Sequence, residues 1–235
     1  MSNDRARAAR VLIIATSHAD LGQTGHKTGL WLEELAAPYQ QFRQAGFEVA
    51  LASPAGGAVP LDPNSLTADF LTAEARAFRD DPVAILALEN TTPLATIPNA
   101  DSYDALFFAG GHGTMWDFFP DEHIARLIAS ARQAGKPVAA VCHGVAALLN
   151  IASGPDGRAL EGLALTGFSN AEELAVGLDK VVPHLLEDSL RAAGAAFTAG
   201  PAFAPHVVEA DSLLTGQNPA SSAQLATALI RALRA

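Results

Sequence analysis

The chain has 235 residues, 49% apolar, 17% charged and 6% aromatic, with a formal net charge of −10. That length accommodates one large domain or two small ones, and the acidic balance excludes nucleic acid or an anionic membrane as the main partner. A single cysteine excludes an internal disulfide and fits a reducing, cytoplasmic compartment, and no apolar run is long enough to predict a membrane span or a signal-peptide core.

Residues 11–15 are apolar and partly β-branched, the pattern of a buried first strand. A polar loop follows, punctuated by Gly22, Gly25 and Gly29, of the kind that builds sites at the C-terminal ends of parallel strands. Residues 30–45 read as a helix closed by Gly46. On a 100° wheel Trp31, Leu32, Leu35, Ala36, Tyr39 and Phe42 share its apolar face, with Glu34 near the Trp31 edge in the first turn. Residues 47–53 predict a second strand. Residues 58–101 are interrupted by Pro60, Pro63, Pro93 and Pro98, and are read as a decorated crossover with one helix at 68–78 inside a single 1–235 domain. Residues 103–109 predict a third buried strand that runs into Gly110, Gly111, His112 and Gly113. Two glycines there let the backbone turn tightly and aim its N–H groups into a cleft. A helix over 121–134 with Gly135 as its cap leads to the next strand.

That strand, through Val138 and Val141, passes without a loop into a short helix at 145–149. Cys142, His143 and Gly144 occupy the junction. A strand turning sharply into a helix projects its apex residue from the sheet edge, which is nucleophile-elbow geometry. A lone cysteine is more often a small buried hydrophobe; the strand–Cys–His–Gly–helix context argues instead for a nucleophile. Ala140 stands where the full elbow pattern prefers glycine, and is small enough to fit. A helix N-terminus is expected to bring the Cys142 pKa to about 3.5–7.5. His143, one residue away, is expected to project in a different direction, so its backbone N–H counts for more than its imidazole. Beyond the elbow, residues 163–166 read as a strand, 167–170 lead into a short helix carrying Glu172 and Glu173, and 183–193 form an amphipathic helix with Pro183 near its start. A short strand at 196–198, a hairpin over 206–215 turning at Ala210 and Asp211, and a final helix over 220–233 follow. Strands alternating with helices predict an α/β fold, a three-layer α/β/α sandwich around a mostly parallel, flavodoxin-like sheet.

Several stretches together resemble a known superfamily: residues 28–35 with Pro38, residues 52–54 with Gly56 and Gly57, the 108–113 turn, the 141–144 elbow, residues 166–168 with Glu173, and residues 215–221. The sequence is similar to the superfamily of the Parkinson-disease-associated protein deglycase and the PfpI intracellular protease, which shares the class I glutamine amidotransferase-like fold. Within it the branch most resembled is that of heat-shock chaperones with glutathione-independent glyoxalase (glyoxalase III, D-lactate dehydratase) activity. The resemblance implies Cys142 as nucleophile, His143 as its partner, Glu34 as a buried acid–base carboxylate and Glu173 as the group orienting His143. The adjacent Glu172 leaves that last register open by one residue. It also implies the Gly111 and His143 amides as an oxyanion hole, with Gly110 and His112 of the same turn as substrate-binding residues. Some relatives carry a two-histidine, one-carboxylate metal site; the spacing of His18, His26, His112 and His123 does not match it, so neither metal nor cofactor is expected. A homodimer is implied by the resemblance alone.

The chemistry implied is conversion of methylglyoxal or glyoxal to D-lactate or glycolate through a Cys142 hemithioacetal, with a small dicarbonyl as the partner molecule. The same nucleophile suits an amidase, a peptidase or a protein deglycase. A glutamine amidotransferase fits less well, because its histidine lies far downstream of the cysteine. From a different class, a stress chaperone or redox sensor would use Cys142 as an oxidisable thiol.

Overall fold

A computed structural model describes residues 7–151 and 160–235, so most of the polar N-terminal stretch, read above as no signal peptide, lies outside the described residues. The sheet is built outward from β1 (Arg10–Ile14), in which Val11, Leu12, Ile13 and Ile14 are all fully buried. A strand apolar on both faces is covered on both sides, the condition of a central parallel strand. Burying each such side chain contributes about 1.5–3 kcal/mol. The other strands are β2 (Glu48–Ser53), β3 (Thr92–Pro93), β4 (Ala105–Phe108), β5 (Val138–Val141), β8 (Val207–Ala210) and β9 (Leu213–Gly216), in the order β3-β2-β1-β4-β5-β9-β8. All pairs are parallel except the β8–β9 hairpin. A separate two-stranded parallel pair joins β6 (Ala164–Leu165) to β7 (Ala196–Phe197).

The chain runs from β1 outward to β2 in one direction and from β4 to β5 in the other. Right-handed crossovers in opposite directions lie on opposite faces of the sheet. The helix α1 (Glu33–Gln44) therefore covers one face, packed against the C-terminal helix α8 (Ser222–Arg234), while α5 (Glu122–Gln133) covers the other. The reversal falls between β1 and β4, and a crevice at such a switch point is where α/β folds place their ligands.

Several elements differ from expectation. α1 starts at Glu33 and not at residue 30, because Leu30 and Trp31 are drawn into backbone bonds with Pro60 and Gly110. Residues 58–101 hold two helices, α2 (Ala73–Asp80) and α3 (Pro82–Glu89), besides β3. The second helix has a legible start: Asp81 accepts the Val83 N–H at 2.8 Å as N-cap, and Pro82 follows at N1. Phe78, Leu88 and Leu94 carry this crossover into the same core as β1. The element after Cys142 is a 3-10 helix over Cys142–Asn150, long for its type. The helix α7 spans Leu186–Ala192, inside the expected 183–193.

Candidate active site

Register alone brings the loops together. Phe108 pairs with Ala140, and Ile14 with Phe108; two residues further along each strand, Gly110 stands level with Cys142. Cys142 occupies the left-handed region at φ 57°, which a residue with a side chain adopts only where its surroundings impose it. The glycines make that turn possible. A Cβ on Gly144 would lie 2.6 Å from the Phe108 carbonyl oxygen, and one on Gly110 would lie 2.5 Å from Glu34 Oε2 and 2.6 Å from the Val141 oxygen. Gly111, at φ 104°, passes so close to the Gly29 oxygen and Trp31 nitrogen that no side chain fits.

Glu34 reaches this point because the Trp31 N–H donates to the Gly110 oxygen at 3.2 Å, setting the first turn of α1 over the Gly110 loop. Its side chain is fully buried. Oε2 accepts the Gly110 N–H at 2.8 Å, while Oε1 has no hydrogen-bond partner among the described residues. Burial raises the Glu34 carboxyl well above the usual range, against the lowering effect of the Cys142 thiol and Gly110 N–H. The thiol is likewise raised, by burial first and then by the Glu34 charge, with the His143 backbone N–H acting the other way. This corrects the expectation of a thiol depressed by a helix terminus: a 3% exposed sulfur beside a carboxyl feels desolvation more than the dipole. The two groups sit close enough that neither loses its proton independently of the other.

On the other side, His143 Nδ1 stands 3.4 Å from Cys142 Sγ and Nε2 lies 2.7 Å from Glu173 Oε2. The imidazole thus reaches the sulfur, contrary to the divergent projection expected of neighbouring residues; the left-handed turn at Cys142 redirects the chain. An ionised carboxylate only accepts, so Nε2 carries the proton and Nδ1 presents its lone pair to the thiol. Burial, and then the neighbouring His112, lower the His143 pKa, which keeps the ring neutral. Burial alone would raise the Glu173 carboxyl, but electrostatic attraction to the His143 ring and the hydrogen bonds from His112 and His143 outweigh it and hold it well below the usual carboxylate range.

The register between the two glutamates is Glu173, and the sequence did contain the signal. Ser169 and Glu172 form a capping box at the start of α6 (Asn170–Ala175), which ties Glu172 to the helix terminus and leaves Glu173 for the site. His112 sits elsewhere than expected: its Nε2 lies 2.8 Å from Glu173 Oε1, so one carboxylate holds two imidazoles whose rings are 4.1 Å apart. Spacing along the chain could not show this, because 61 residues separate His112 from Glu173. Gly110, grouped with the substrate-binding residues, spends its N–H on Glu34. The Gly111 N–H has no acceptor among the described residues.

Among the described residues, His112, His143 and Glu173 form a group whose ligand atoms lie within 4.8 Å of one another. Their nitrogen-to-oxygen separations of 2.7 and 2.8 Å are those of hydrogen bonds; metal bonds of about 2.0–2.1 Å in a tetrahedral site would spread neighbouring ligand atoms to about 3.3 Å. The group is already committed to orienting the imidazoles.

An α/β sheet with a buried cysteine on a sharp turn at its switch point, a neighbouring imidazole and two carboxylates is an arrangement of the glutamine-amidotransferase-like type. Residues 28–232 match the DJ-1/PfpI family, and the chain belongs to it. It is 32% identical to the glutathione-independent glyoxalase HSP31 of Saccharomyces cerevisiae, over 96% of this chain and 98% of that one. It is 29% identical to glyoxalase 3 of Candida albicans, over 95% and 98% of the two chains. Among solved structures, that of glyoxalase III from Candida albicans superposes with a TM-score of 0.86 at 27% identity, covering 95% of this chain and 97% of that one. The Rapid Encystment Protein 24 KDa of Francisella tularensis superposes with a TM-score of 0.90 at 37% identity, covering 96% and 99%.

Proposed function

We propose that the protein is a glutathione-independent glyoxalase that converts methylglyoxal to D-lactate and glyoxal to glycolate. The observation that carries this reading is Glu34, fully buried beside the only thiol, with its Oε1 lacking a hydrogen-bond partner among the described residues. Burial raises this carboxyl, and a carboxyl so raised beside a thiol can both take up and give back a proton. Acyl transfer by an amidase needs no second acid beside the nucleophile. Aldehyde isomerisation does.

The sequence of events follows from the geometry. The thiol proton passes to His143 Nδ1, the sulfur adds to the aldehyde carbon, and the same proton moves on to the resulting oxygen to form a hemithioacetal. Its oxygen is stabilised by the Gly111 and His143 N–H groups. Ionised Glu34 removes the proton from the former aldehyde carbon and passes it to the neighbouring carbonyl oxygen, giving an enediol; the hydroxyl proton on the former aldehyde carbon then moves to the neighbouring carbon, which yields the lactoyl thioester. Water cleaves the thioester, releasing D-lactate and the thiol; one water is consumed per dicarbonyl. Glu173 keeps His143 in the tautomer this requires and does not itself meet the substrate. The test is purified protein with methylglyoxal in the absence of glutathione, following loss of dicarbonyl and formation of D-lactate. Substrate loss without D-lactate would point to simple thiol adduction and end this reading. We also infer a homodimer, supported by the family resemblance only, which sedimentation equilibrium tests.

A further inference from the structure

Three described non-glycine residues have positive φ: Cys142, Asp211 and Phe203. The elbow accounts for the first and the β8–β9 hairpin turn for the second. Phe203, at φ 60° and 49% exposed, is neither in a hairpin nor at the nucleophile. A bulky residue held in this region marks a place where the surroundings over-determine the backbone, and such places cluster at ligand clamps. The determinant here is Glu172, fully buried, whose Oε1 accepts the Phe203 N–H and the Asn218 Nδ2–H, each at 2.8 Å. Its Oε2 accepts the Ser169 N–H at 2.9 Å and hydroxyl at 2.7 Å. One carboxylate thus binds the start of α6, which carries Glu173, to the loop that carries Phe203. The rings line up outward from the nucleophile: His143 lies 4.4 Å from Phe168, and Phe168 lies 6.4 Å from Phe203. Phe203 is where this aromatic track meets solvent.

We propose that Phe203 is a specificity-determining residue, the outer apolar wall of the approach to Cys142 that favours dicarbonyls with an apolar or aromatic substituent, and that Glu172 is the positioning residue that fixes it there. The inference rests on the glyoxalase reading for its substrate, but the wall can be tested without turnover. A substrate held with its carbonyl at the sulfur must direct its substituent away from the fully buried Glu34, and on the imidazole side the track that runs from His143 through Phe168 ends in the half-exposed Phe203 ring, which offers that substituent an aromatic surface. Glyoxal, which has no substituent, gains nothing from it.

Because Cys142 is the only thiol, intact mass reports its alkylation directly. The probes are iodoacetamide and its N-benzyl derivative, and the readout is the ratio of their rate constants, benzyl over plain. Phe203→Ala should lower this ratio about fivefold, the worth of one aromatic contact, and Phe203→Leu should fall between. Glu172→Gln should lower it as much, and adding Phe203→Ala should lower it no further, the signature of action through one residue. A merely structural role for Glu172 would slow both reagents in parallel. Should Glu172→Gln not fold, Asn218→Ser, which strips a second donor from the same Oε1, should give a smaller fall in the ratio. An unchanged ratio in Phe203→Ala overturns the wall; additive losses, or a parallel slowing in either positioning variant, overturn the role of Glu172. If methylglyoxal yields no D-lactate while the ratio still falls, the glyoxalase reading fails and the aromatic wall stands.

Discussion

Glu34 and Glu173 are both buried carboxyls, one on the sulfur side of the Cys142–His143 pair and one on the imidazole side, and their surroundings drive them in opposite directions. Glu34 meets one backbone N–H and a thiol, so burial prevails and its carboxyl is raised. Glu173 accepts from two imidazoles, so its charge is retained. Burial by itself decides nothing about a carboxylate; the number and polarity of its partners do. On the sulfur side this leaves a group able to exchange a proton, and on the other a fixed anion able only to hold a ring in place.

The largest expected effect is on the exchanging side. Glu34→Gln should lower turnover on methylglyoxal by about 10²–10⁴-fold, the usual worth of a positioned acid–base group, while Cys142→Ala removes it. Glu34→Gln can keep the Gly110 contact through its amide oxygen, so its melting temperature should fall less than that of Glu173→Gln. The midpoint for Cys142 alkylation should move to lower pH, since a negative charge that raises the thiol has gone. Turnover within tenfold of wild type would break the comparison by showing that Glu34 exchanges no proton in the rate-limiting steps.

Glu173→Gln should show the reverse balance. A glutamine has one carbonyl oxygen for two imidazole N–H groups, so one buried donor is left unmet, at about 1–3 kcal/mol. The variant should therefore melt earlier, and its turnover should fall less than that of Glu34→Gln. Pure loss of activity with unchanged melting would mean that the two imidazoles are satisfied without the carboxylate.

The pH dependence of stability separates the two more finely. Both carboxyls start from an ordinary value of 4.5. The folded value of Glu34 is raised, so its contribution is complete below about pH 4.5 and is lost as pH rises. The folded value of Glu173 is depressed, so its contribution is present above about pH 4.5 and is lost as pH falls. Measured against wild type, Glu34→Gln should gain in melting temperature as pH rises above about 4.5, whereas Glu173→Gln should lose as pH rises towards about 4.5 and stay level above it. Parallel trends would show that the two sites share one electrostatic environment.

The contrast also shows what could be read from the chain. The central strands, the elbow and the apolar face of α1 were legible because each is a local pattern, apolar runs or a 3.6-residue period. Glu34 is legible by its place near the Trp31 edge, and the capping box of Ser169 and Glu172 holds the register of Glu173. What no local pattern carries is convergence across the fold. His112 joins Glu173, and Phe203 joins Glu172, through loops on different strands. The direction of the Cys142 shift was missed for the same reason: a dipole is a property of the next turn, whereas burial is a property of everything packed around it.

The smallest effect on catalysis should come from a part-buried carboxyl, Asp117, which shares the raised state of Glu34 without its access to the thiol. Burial brings Asp117 up to about 6, against hydrogen bonds from the Ser17 N–H at 2.7 Å and the Thr16 hydroxyl at 2.8 Å. Its folded value exceeds the ordinary 3.8, so the folded state binds more protons between about pH 4 and pH 6 and loses stability across that window as pH rises. Asp117→Asn can keep both contacts, its oxygen accepting from Ser17 and its amide donating to the Thr16 oxygen. It carries no charge to desolvate. Its melting temperature should therefore rise relative to wild type between pH 4 and pH 6 and stay level above, by up to about 3 kcal/mol for a shift of two pH units, while turnover on methylglyoxal is unchanged. A melting difference that does not vary with pH would show that Asp117 is ionised in the folded protein throughout. A fall in turnover comparable to that of Glu34→Gln would show that being raised by burial, and not contact with the sulfur, is what ties a carboxyl to the chemistry.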